Sequence, residues 1–144
     1  MIPAPIWRRL AAWFLDLLVL HLLGGAILAA VLMTAFSRLP LGIMELFGLL
    51  AGLLFLLLLM PPLLALLYFT LWHSCGGQTV GKMALGIMVV GPDQTPPSPG
   101  LALLRGIGQL LALLPLAAGF LWAFTNPERR TWYDHLALTR VVRV

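Results

Sequence analysis

Two unbroken apolar runs dominate the pattern of this chain. Residues 10–36 are interrupted only by Asp16 and His21 among ionisable groups, and residues 46–72 hold no charge at all. Each is 27 residues long, about 40 Å as an α-helix, against a hydrocarbon core of roughly 30 Å. The pattern therefore predicts two membrane-crossing helices, over about 8–36 and 46–73. A signal peptide does not fit the first, because its apolar core would be shorter and would not hold an aspartate. Pro61-Pro62 predicts a kink in the second helix. Residues 1–7, with Pro3 and Pro5, read as an irregular interfacial arm, and residues 37–45 as a tight turn.

Polar character then returns. Residues 74–100 predict a loop with one helical turn at 78–83 and a strand at 85–90, and Ser98-Pro99 marks a helix start. Residues 101–125 carry Arg105 and Gln109 four apart on one face, several glycines and Pro115. Their clean apolar part, 110–124, is only 15 residues, which predicts a broken, re-entrant segment rather than a full span. A charged turn at 126–130, a short helix at 131–136 and a second strand at 138–144 complete a tail over 126–144. The two strands can pair only on one side of a membrane, and neither is stable alone. The expected fold is an all-α integral membrane protein: one domain over 1–144 with two transmembrane helices, an embedded re-entrant helical segment and a small cytoplasmic two-stranded β element.

Composition agrees with that reading. The chain of 144 residues is 61% hydrophobic and 10% charged, where soluble domains carry about a quarter charged residues. Its formal charge is +4, with nine basic residues. If residues 101–125 re-enter, eight of those nine share one side and Arg38 alone faces the other. The excess of positive charge at inner loops makes the shared side cytoplasmic, with both termini inside a cell inner membrane. The arginines anchor helices at headgroups; no basic stripe interleaved with aromatics points to nucleic acid. The single Cys75 excludes an intrachain disulfide and is expected to be a buried, inert thiol.

Three motifs carry candidate chemistry: Arg9-Leu-Ala-Ala-Trp-Phe-Leu-Asp16, the run from Gly77-Gln78-Thr79-Val80-Gly81-Lys82 to Val90, and Thr131-Trp-Tyr-Asp134. Together, in this order, they resemble the RDD family of membrane proteins across nearly the whole chain. By position Arg9, Asp16 and Asp134 match the arginine and two aspartates of the family's name. Met88 stands where a basic residue is usual. The resemblance implies a small membrane domain, proposed to take part in transport of an ion or small solute, without an agreed ligand.

The residues argue independently. Arg9 and Asp16 are seven apart and share a helix face. An aspartate inside hydrocarbon costs roughly 2.5–3.5 kcal/mol on insertion scales unless paired or protonated. Arg9, Arg105 or a C-terminal arginine are its expected partners. Two readings follow: a protonatable or cation-binding centre, or a polar lock between helices. Thr131 and Asp134 have capping-box spacing; docking of Asp134 to Arg9 or Arg105 is the alternative. The stretch 76–83 matches a P-loop except that Met83 replaces the Mg²⁺-binding hydroxyl, so no nucleotide site is expected and Lys82 is placed at the headgroups. No metal, cofactor or catalytic set is legible, and an enzyme is not expected. The expected function is a transport-associated domain with Asp16 at its polar centre. The alternative is a non-transporting scaffold or accessory subunit that recruits a partner at its cytoplasmic face. Too few helices exist to enclose a polar path, so a homo-oligomer or a larger membrane partner is expected. Small residues at Gly24, Gly25, Ala26, Gly48 and Gly52 are possible close contacts.

Overall fold

The computed structural model describes residues 2–37, 42–113 and 130–144. The expected re-entrant stretch beyond residue 113, Pro115, the charged turn up to 129 and most of the first interhelical turn lie outside them.

Helix α1 covers Ile6–Phe36 and helix α2 covers Ile43–Gly76. Both begin a little before the apolar runs, because an N-terminal turn needs no apolar face: Pro5 and Gly42 sit at the two N-caps in extended backbone. Helix α2 runs through Pro61 and Pro62 without ending. It stops where Gly77 adopts a left-handed φ of 70° and donates its N–H to the His73 carbonyl, the usual exit for a helix. Both helices are long and apolar enough to cross a bilayer. None of the most apolar window of α2 is buried, and Leu54, Phe55, Leu58 and Leu67 point outward. The core helix of a soluble protein would bury that face, so lipid is the solvent that suits it.

A compact polar cap sits at one end. Helix α3, Val80–Ala84, starts at Thr79, whose hydroxyl accepts from the Lys82 N–H. Strand β1, Ile87–Val90, pairs antiparallel with β2, Arg140–Arg143, in the register Ile87 to Arg143 and Val90 to Arg140. Helix α4, Pro99–Leu113, and the short α5, Trp132–Leu136, complete the cap. The N-terminal arm is better ordered than its two prolines predict. Pro3 bridges Val142, the Ala4 N–H donates to the Val141 carbonyl at 3.0 Å and the Arg143 N–H to the Ile2 carbonyl at 3.0 Å. The arm thus covers an edge of the two-stranded sheet.

Two small cores hold the parts together. Ala4 and Ala12 pack on Ile87, Val89 and Val141 beneath the sheet, while Leu20, Tyr68 and Phe69 join α1 to α2. Glycines let backbones approach in the cap: a side chain at Gly106 would press on Leu66 of α2, and one at Gly108 on Tyr133 of α5.

Candidate functional site

Between the membrane helices and the cap lie two buried carboxylates, each with its own set of partners. Asp16 is fully buried on α1. Its Oδ2 accepts from the Thr79 hydroxyl at 2.6 Å, and its Oδ1 from the Tyr68 hydroxyl at 2.9 Å and the Gly81 N–H at 2.8 Å. Lys82 Nζ stands 3.8 Å from Oδ2. The partner set differs from the expectation that Arg9, Arg105 or a C-terminal arginine would meet Asp16. The reason is geometric: α3 lays its first turn directly on α1, so backbone and side-chain donors of the Thr79–Lys82 stretch reach the carboxylate first.

That stretch is also where Lys82 departs from its expected place at the headgroups. It is 8% exposed, with Nζ 3.4 Å from the Thr79 hydroxyl and over the Phe69 ring. Burial drives its ammonium down, Asp16 partly restores it and Arg105 lowers it further, leaving the group at about 8. Gly81 is required by closeness rather than by φ. A side chain there would run into the Ala12 carbonyl and Asp16 Oδ1. Gln78 closes the motif from outside by donating to the Ile87 carbonyl at 3.1 Å, and the Val89 N–H donates to the Gly77 carbonyl at 2.7 Å.

Asp134 forms the second centre. It makes the expected capping box: its N–H donates to the Thr131 hydroxyl and its Oδ2 accepts from the Thr131 N–H at 3.0 Å. It also takes the alternative role. Arg9 donates to Oδ2 at 3.2 Å and Arg105 donates to Oδ1, so two guanidinium groups from α1 and α4 clamp one fully buried carboxylate. Arg9 reaches on to the Val141 carbonyl at 3.1 Å and Arg105 to the Thr139 hydroxyl at 2.8 Å. Burial alone would raise the Asp134 carboxyl; Arg105 and Arg9 outweigh it and hold the group below the usual carboxylate range.

The Arg9, Asp16 and Asp134 pattern together with the Thr79–Lys82 turn is the hallmark already seen in the sequence. The family model for the RDD family matches residues 3–138. The chain belongs to the RDD family. No curated protein and no solved structure matches it. In this RDD protein the three naming residues do not form one cluster. Arg9 and Asp134 pair with each other, while Asp16 turns to the glycine-rich motif.

Sequence reasoning missed two participants, Tyr68 and His73, and named Thr79 only as part of the glycine-rich motif. Tyr68 bridges the cap and α2 by donating to Asp16 while accepting from the Val80 N–H at 3.1 Å. Thr79 is the closest donor to Asp16. His73 is completely buried, stacked on Phe69, with neither ring nitrogen hydrogen-bonded. Their signal is faint, because a lone tyrosine or histidine near the end of an apolar helix is ordinary at a membrane interface. Cys75, by contrast, is exposed rather than buried, since α2 turns it away from the cap. Of the small residues, Gly24 faces Met60 of α2, whereas Gly48 and Gly52 meet nothing within 4 Å.

Proposed function

We propose that this RDD protein is a transport-associated membrane domain in which the Asp16–Lys82 pair exchanges a proton, coupled to movement of an ion or small solute. The observation that carries this reading is Lys82: a buried ammonium beside a buried carboxylate, with its proton held at about 8. A group poised there gives up and regains a proton near physiological pH. The charged cap, with Arg8, Arg9, Lys82, Arg105, Arg140 and Arg143, is assigned to the cytoplasmic side by the positive-inside rule. Two apolar helices cannot enclose a polar path, so the working unit is a homo-oligomer or a complex with a larger membrane protein. Gly48 and Gly52, open on α2, suit a close helix contact between copies.

A second reading draws on a different observation. Asp16 already receives three hydrogen bonds and an ion pair, a set that locks the cap to α1 and suits a scaffold or accessory subunit that recruits a partner at its cytoplasmic face. Reconstitution separates the two. Proteoliposomes with an internal pH-sensitive dye are challenged with sodium, potassium or choline salt gradients. Transport predicts cation-dependent proton movement that Asp16→Asn removes while the protein stays folded. Absence of flux, with a stable partner co-purifying through the cap, supports the scaffold.

A further inference from the structure

The two apolar helices leave a cavity of about 510 Å³ between them, bordered among the described residues by His21, Gly24, Gly25, Leu57, Met60 and Pro61. It lies on the lipid side of the cap, because His21 stands five residues beyond Asp16 on α1, about 7 Å further into the apolar run. Gly25 helps to keep it open, since a Cβ there would meet nothing within 4 Å. The wall is apolar apart from two hydrogen-bond acceptors, one on each helix. His21 Nδ1 lies 2.7 Å from the Leu17 carbonyl. A carbonyl only accepts, so Nδ1 carries the hydrogen, and in the neutral imidazole Nε2 is left as an acceptor. Among the described residues no donor meets it. On α2, Pro61 has no N–H, so the Leu57 carbonyl four residues before it loses its helical donor. Leu57 and Pro61 both border the cavity, which sets that carbonyl in its wall.

We propose that this cavity binds a membrane-soluble phenol, an aromatic ring with a free hydroxyl carried on an apolar chain. The volume falls within the range of small-molecule pockets, roughly 300–1,000 Å³. Acceptors without donors call for a ligand that donates. A charged headgroup does not suit an apolar wall, and an acyl chain brings no donor. A water molecule would meet an acceptor but leave nearly all of the apolar volume unfilled. A hydroxyl on an apolar body meets both requirements together. An aromatic body suits this wall because the Met60 thioether makes favourable sulfur–ring contacts. A phenolic hydroxyl is also more acidic than an aliphatic one, and so the stronger donor to an imidazole nitrogen.

The protein in lipid nanodiscs is titrated with tritiated 4-octylphenol, and uptake by protein-free nanodiscs is subtracted. The expected result is saturable binding. 4-Octylanisole, the same body with its donor capped by a methyl group, should bind about tenfold more weakly, the loss of one buried hydrogen bond. His21→Phe, which keeps a ring but loses the acceptor, should bring the phenol down to the affinity of the anisole. Gly25→Leu, which fills open space in the wall, should abolish binding. Uptake that never saturates means that lipid or a second copy of this chain fills the cavity, and it overturns the proposal. Equal affinity for phenol and anisole, or phenol binding unchanged in His21→Phe, means that no donor is recognised and overturns it too. If Gly25→Leu does not fold, the Met60 methyl group of the unaltered protein decides. Its NMR signal, assigned by its loss in Met60→Leu, should shift as the phenol saturates; an unmoved signal puts the bound phenol elsewhere and overturns the proposal. Binding is read at equilibrium without flux. A protein that binds the phenol but moves no protons overturns only the transport reading, and one that moves protons without binding the phenol overturns only this one.

Discussion

A buried aspartate persists only where its oxygens are filled, and Asp16 and Asp134 are filled by different means. Asp134 is held by charge: removing it leaves two buried guanidinium groups without their carboxylate. Asp134→Ala should therefore destabilise the fold by about 3–5 kcal/mol, with the lost capping box adding on the order of 1 kcal/mol. Chemical denaturation in detergent measures this, and a loss under 1 kcal/mol would show that the clamp contributes little. Lys82 gives a pH signature of the opposite sense to an ordinary surface lysine. Its folded value is about 8 against 10.5 unfolded. Below about 8 both states hold the proton and the folded state bears the full burden of a buried ammonium. Between about 8 and 10.5 the unfolded state binds more protons, so stability rises with pH, at most about 1.4 kcal/mol per unit. Lys82→Met should remove that rise; an unchanged slope in denaturation between pH 7.5 and 10 would contradict the burial of Lys82. The polar members Arg9, Asp16, Arg105 and Asp134 were legible in the sequence because charge amid apolar residues is conspicuous. Their pairing was not. Seven-residue spacing puts Arg9 and Asp16 on one face, but the contacts that satisfy Asp16 come from residues more than fifty positions away.

Among the elements, the least expendable is the five-residue α3, whose N-terminal turn carries most of the bonds to Asp16. The closeness of Gly81 to Ala12 is its condition. Gly81→Ala should drive α3 off α1 and sharply reduce the amount of folded protein recovered from membranes. Gly76→Ala, at a position with nothing within 4 Å, is the control and should behave as wild type. Equal recovery of the two variants would mean that the cap is not seated on α1 as described. The long helices and both strands were readable from period and length alone, since hydrophobic runs of 27 residues and short β-branched stretches admit few alternatives. The strand-like behaviour of the Pro3–Ala4 arm was not, because prolines mask an edge pairing that uses the neighbouring amides.

At the scale of the molecule, one apolar pair of helices carries one charged end, and the basic residues among those described gather there. Whether that end faces the cytoplasm governs every functional reading, because proton exchange at Lys82 and recruitment of a partner both presume a cap in contact with the cell interior. Single cysteines introduced at Ser37 and at Val144, in a Cys75→Ser background, test this with a membrane-impermeant maleimide applied to intact cells. The account predicts that the cysteine at 37 is labelled and that the cysteine at 144 is labelled only after the cells are opened. Labelling at 144 but not at 37 in intact cells would contradict it.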